Sequence, residues 1–91
     1  MRKNRNEIQI IFEFLSCIND GNSQISSILR KVNIPYTKYE ELLKYLDEKE
    51  MIKVTVNGDK NEIQLLDKGR LFLSQYGAFS KMMEKSYGLK L

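Results

Sequence analysis

Apolar residues recur along this 91-residue chain with two different periods, and the switches between them divide it into elements. Ile8, Ile11, Phe12, Leu15 and Ile18 step by three and four, which predicts a helix from about Asn6 to Ile18 with one apolar face. Asn19-Asp20-Gly21-Asn22 tolerates turn and left-handed conformations and ends it. Ser23 then offers an N-cap oxygen to a second helix of about ten residues, with Ile25, Ile28, Leu29 and Val32 inward. Asn33-Ile34-Pro35 ends that helix. Proline turns Ile34 away from helical geometry, and its fixed torsion suits the first turn of a third helix. In this third helix Tyr39, Leu42, Leu43 and Leu46 share the inward side.

The period then drops to two. Val54, Val56, Ile63 and Leu65 alternate with polar residues, as strands with one buried face do. The runs Ile52–Val56 and Glu62–Leu66 flank Asn57-Gly58, a pair that favours tight reversal, although a longer loop through Asp59 and Lys60 also fits. A last helix begins near Asp67, whose carboxylate suits an N-terminus. Along it Phe72, Tyr76, Phe79 and Met83 form a heptad-like seam. The seam needs a partner, supplied either by folding back on the first helix or by a second copy of the chain. Gly77 costs this helix about 1 kcal/mol relative to alanine, which points to a kink or to close helix–helix approach.

The predicted architecture is therefore mainly α with one β-hairpin. Residues 1–66 form a three-helix core with a two-stranded wing, and residues 67–91 form a long C-terminal helix packed on the same domain, with a seam open to dimerisation. Two short helices joined by a turn match the helix-turn-helix plan, and a following hairpin completes a device that docks on DNA. On a wheel of the third helix, Thr37, Glu41, Lys44 and Glu48 point outward, with Lys38 and Tyr45 on one flank. The glutamates either read cytosine amino groups or keep the helix soluble. The hairpin is either a cover for the core or a wing whose Lys53, Asn57 and Lys60 meet phosphate or the minor groove of DNA.

Charge tempers the DNA reading. The net charge is only +3, and the segment from 35 to 66 carries seven acidic against five basic residues. The net positive charge lies in the two flanking segments, and in the first of them Arg2, Lys3 and Arg5 read either as a basic arm or as a solvated tail. Other chemistries find little support. The chain has no histidine, and its one cysteine, Cys17, falls in an amphipathic run as a small buried hydrophobe, so no cofactor or metal is expected. Paired carboxylates (Glu40 with Glu41, Asp47 with Glu48) lack a cleft or a basic partner, so no enzyme is expected. No apolar run approaches the roughly 18 residues of a membrane span, and a cytoplasmic location is expected.

The chain resembles small archaeal winged helix-turn-helix DNA-binding proteins, and also the winged-helix proteins of crenarchaeal viruses. The resemblance rests on Asn33-Ile34-Pro35-Tyr36, Leu43-Lys44-Tyr45-Leu46, Glu48-Lys49-Glu50-Met51-Ile52 and Leu65-Leu66-Asp67-Lys68-Gly69. It covers roughly residues 6 to 85, and the order and spacing of the motifs are more specific than any one of them. Two positions depart from the pattern. Glu50 stands where glycine usually follows the third helix, which counts against a left-handed cap there. Leu66 replaces a capping threonine, leaving Asp67 to cap the last helix.

The resemblance implies a homodimeric binder of double-stranded DNA acting in transcription regulation. Its C-terminal helices would pair in an antiparallel coiled coil through Phe72, Tyr76, Phe79 and Met83. Thr37, Lys38, Glu41, Lys44 and Tyr45 become candidates for contacts at or beside base edges, and Arg30, Lys31, Lys53 and Lys60 for phosphate. A winged-helix domain that binds protein instead of DNA is the alternative, since fold does not fix function.

Overall fold

The structure, a computed structural model, describes residues 6–22, 24–58 and 60–90, with backbone only at 57, 60 and 61. Its elements are α1 (Glu7–Asn19), α2 (Ile25–Val32), α3 (Tyr36–Glu48), β1 (Ile52–Asn57), β2 (Lys60–Leu65) and α4 (Asp67–Tyr87). The predicted order and types are those observed. The N-cap of α2 is Gln24, one residue after the expected Ser23, and it makes no side-chain cap bond; Ser23 itself and the basic stretch Arg2, Lys3 and Arg5 lie outside the described residues.

A capping box starts α1. The Asn6 side chain accepts from the Gln9 N–H at 2.8 Å, and the Gln9 side chain accepts from the Asn6 N–H at 3.0 Å, satisfying two donors of the first turn. The face that α1 buries is centred on Ile11, Phe14, Leu15 and Ile18, with Cys17 also buried. It is rotated from the expected stripe: Ile8 is half exposed because it lies a turn before the core begins. Phe12 is only half buried and meets α4 instead.

Helix α2 is eight residues long, and Asn33 ends it in the left-handed region at φ 59°, a conformation asparagine tolerates. Buried Ile34 anchors the turn, and Pro35 supplies the extended N-cap of α3. Tyr39, Leu42 and Leu46 are buried as expected, while Leu43 is only partly buried. The core closes over Ile28 and Val32 of α2, Ile52 of β1, and Ile63 and Leu65 of β2.

The end of α3 overturns one expectation. Met51 N–H bonds to the Leu46 carbonyl at 3.0 Å and Glu50 N–H to the Asp47 carbonyl at 3.1 Å, the two bonds of a Schellman cap. Glu50 takes the left-handed position at φ 60°, so the cap forms without the glycine. Burial of Met51 and Leu46, the two residues that such a cap brings together, stabilises it against the strain.

The hairpin pairs Ile52 with Leu65, Val54 with Ile63 and Asn57 with Lys60. Because Asn57 still pairs with Lys60, the reversal comes after Asn57, one position later than the expected Asn57-Gly58, and Gly58 takes φ 68° as a tight hairpin turn requires.

Leu66 is the N-cap of α4 and gives no side-chain cap. Asp67, expected to cap, instead sits in the first turn and pairs with Arg70 at 2.5 Å. A β-carbon on Gly69 would overlap the Met51 carbonyl oxygen and Leu65 Cδ1, so glycine lets α4 cross closely over the end of the hairpin. Gly77 marks no such approach. A β-carbon there would meet nothing within 4 Å, and α4 runs unbroken past it.

Candidate nucleic-acid interface

Helix α3 buries Tyr39, Leu42 and Leu46 against the core and turns its opposite face to solvent, and that outward face is the candidate site. Thr37, Glu41 and Lys44 are exposed there as the wheel predicts. Lys44 makes no hydrogen bond or ion pair among the described residues, so its ammonium is available to an external anion. Tyr45 is about half exposed on the flank, and the Lys49 ammonium lies 5.7 Å from its ring centroid, within cation–π range.

Lys38 occupies the same flank but is not free. Its Nζ lies 2.7 Å and 2.9 Å from the two carboxylate oxygens of Glu7 in α1, and 4.0 Å from Glu41. Nothing in the sequence signals this pairing, because the partners are 31 residues apart.

Tyr36 joins the candidate residues on structural grounds. It is the first residue of α3, half exposed, and its ring stacks on Tyr39 at 5.8 Å and 17°. Tyr39 in turn packs on Phe14, so an interior aromatic pair orients the exposed ring. The signal available in the sequence was its place immediately after Pro35, at the helix start.

The remaining candidates surround α3 without converging on one point. Arg30 and Lys31 are exposed in the last turn of α2, where cations also suit the helix dipole. Lys31 lines a shallow groove with Glu13 and Asp20. Lys53 is exposed on β1, opposite Gln64. The side chains of Asn57 and Lys60 lie outside what is described, although their backbones pair at the wing tip. A second shallow groove between α3 and β1 is lined by Glu40, Leu43, Lys44, Asp47 and Val54, and it carries two carboxylates beside one ammonium.

The four seam residues of α4 divide. Phe72 and Tyr76 stack at 5.9 Å, and Tyr76 meets Phe12 of α1 at 4.6 Å, so this half folds back on the domain. Further along, Phe79 is 48% exposed and Met83 only partly covered, with Leu71 and Met82 also exposed on the same helix.

Two interior groups titrate abnormally. Burial pushes the Tyr39 phenol up to about 12, with neighbouring Tyr36 adding to the effect. Burial also raises the Cys17 thiol, against the opposing pull of Lys31, so this cysteine is held in its unreactive form. Among the described residues no group of three or more potential ligands could hold a metal ion, and no helix is long and apolar enough to cross a membrane.

Three helices, a turn between the second and third, a paired hairpin and a closing helix define a winged helix-turn-helix protein. Residues 4–84 match that family, and the chain belongs to it. Solved structures agree. Sso10a-2 of Sulfolobus solfataricus, described as a DNA-binding protein, superposes with a TM-score of 0.79 at 20% identity, over 92% of this chain and 87% of its own. AF1382 of Archaeoglobus fulgidus superposes at 0.71 with 27% identity, over 85% and 86%. BpsR of Bordetella bronchiseptica, whose DNA binding is regulated by 6-hydroxynicotinic acid, superposes at 0.74 with 16% identity, over 89% of this chain and 66% of its own. No curated protein matches the chain in sequence.

Proposed function

We propose that this protein binds double-stranded DNA as a homodimer and regulates transcription, with α3 in the major groove and the β1–β2 wing on the flanking backbone. The observation that carries the reading is the exposed face of α3 beside a protruding hairpin, in a chain of the winged helix-turn-helix family. Similarity to the DNA-binding proteins Sso10a-2 and BpsR supports it. Thr37, Glu41 and Lys44 meet base edges, with Tyr36, Lys38 and Tyr45 on the rims of the groove. Arg30, Lys31 and Lys53 hold phosphate, with Lys60 and Asn57 at the wing tip. The exposed apolar part of α4, around Phe79 and Met83, pairs with its copy in a second protomer.

A second reading has one observation in its favour. The α3 surface carries Glu40, Glu41, Asp47 and Glu48 against Lys38 and Lys44, and Lys38 is already paired. Such a face suits a basic protein partner.

Fluorescence anisotropy with a duplex from the upstream region of the gene and a scrambled duplex, across a salt series, separates the two. Preference for the upstream duplex, weakening steeply as salt rises, is the expected result. Lys44→Ala lowers affinity for both duplexes or for the preferred one alone, according to whether it meets phosphate or a base. Absence of binding at every salt concentration favours the protein-binding module.

A further inference from the structure

We propose that Glu7 acts as a built-in competitor of DNA phosphate for Lys38, setting the affinity of the α3 surface below what its cations would otherwise give. The inference rests on the DNA-binding reading and adds to it a tuning residue outside the helix-turn-helix.

The geometry is specific. Lys38 Nζ reaches both oxygens of the Glu7 carboxylate, at 2.7 Å and 2.9 Å, and Glu41 adds a third oxygen at 4.0 Å. Lys38 lies in the first turn of α3, on the flank of its outward face, where a cation meets phosphate at the rim of a groove. The pair draws it toward α1, and its side chain is only 27% exposed. Glu7 itself is 57% exposed, so the pair is open to solvent and to a competing anion.

Exchange of partners is cheap on both sides. An ion pair at a surface is weak, so a phosphate oxygen can displace the carboxylate. Glu7 is the first residue of α1, where the helix dipole stabilises an anion after the ammonium leaves. Lysine suits such an exchange, since its ammonium swings on a flexible stem without a fixed fork of donors. The contact therefore subtracts one cation from the free protein and returns it on binding, at the cost of breaking a pair.

The test is a double-mutant cycle on duplex affinity at low salt, with Glu7→Gln, Lys38→Gln and the double variant in the full chain. Circular dichroism confirms that each remains folded. Glu7→Gln is expected to bind duplex about two- to fivefold more tightly per protomer, the range that loss of one exposed ion pair allows. In the Lys38→Gln background that gain disappears. Weaker binding by Glu7→Gln overturns the proposal in favour of a pair that positions α3. A gain that persists without Lys38 overturns it in favour of simple removal of a negative charge. Failure of the unaltered chain to bind any duplex overturns the DNA-binding reading and this proposal with it, whereas binding that Glu7→Gln leaves unchanged overturns this proposal alone.

Discussion

Tyr39 shows how much one buried atom can decide. Among the described residues its side chain is the largest that is fully buried, yet its hydroxyl has no hydrogen-bond partner there. An unpaired buried hydroxyl costs free energy that phenylalanine would not. Tyr39→Phe should therefore leave stability at neutral pH unchanged, or raise it by about 1 kcal/mol, in urea denaturation. The pH dependence has a definite sign. The folded-state value, about 12, lies above the ordinary 10, so the native state holds the proton more tightly. That contribution is full below pH 10 and is lost as pH rises toward about 12. Tyr39→Phe should lack this part of the alkaline decline, as paired denaturation curves at increasing pH would show. Glu50 is the other residue under load. Glu50→Gly should relieve the left-handed strain and raise stability by about 1 kcal/mol, partly offset by the greater freedom of glycine in the unfolded chain. Glu50→Ala, which keeps the strain, should show no such gain.

At the scale of elements, apolar periodicity revealed every helix and both strands, because burial on one side of an element imposes its own repeat on the residues. Boundaries followed less well. The turn of the hairpin fell one residue later than Asn57-Gly58 suggests, since strand register is chosen by pairing Ile52 with Leu65 and Val54 with Ile63 in the core. The start of α4 lacks the cap expected of Asp67, and the helix is held there by its passage over the hairpin. Gly69 makes that passage possible. Helix propensity alone favours alanine by about 1 kcal/mol, but overlap with the Met51 carbonyl and Leu65 reverses the sign. Gly69→Ala should lose about 1–3 kcal/mol, a fall of several degrees or more in Tm for a domain of this size. Gly77→Ala, with open space around it, should gain, and thermal melts of the two variants would display the opposite signs.

The whole molecule combines a small closed core with an exposed apolar surface on α4. Its extents of 48 × 33 × 21 Å reflect an elongated body with a 21-residue closing helix. Phe79 and Met82 are each about half exposed, and a second copy of α4 is the cover we propose. Phe79→Asp should then yield a monomer in light scattering, with duplex affinity reduced because two half-sites are no longer engaged together. A dimer that survives the substitution places the interface elsewhere. The same scale explains the ambiguity of charge: acidic residues gather in the segment from 35 to 66 that contains α3, so the field in front of α3 depends on how the net-basic flanking segments are arranged around it.

By itself the sequence determined the element order, the inward residues of α3, the paired strands and the helix-turn-helix plan. Each of these is set by local periodicity and turn chemistry, which act over a few neighbouring residues. The tertiary structure decided what depends on distant partners. It turned Phe72 and Tyr76 toward Phe12, leaving Phe79 exposed. It forced Glu50 into a glycine conformation, because Leu46 and Met51 had to be buried on either side of the turn. It also joined Lys38 to Glu7 across 31 residues. A charge on a helix wheel has a direction but no partner until another helix is packed beside it, and here that partner belongs to α1.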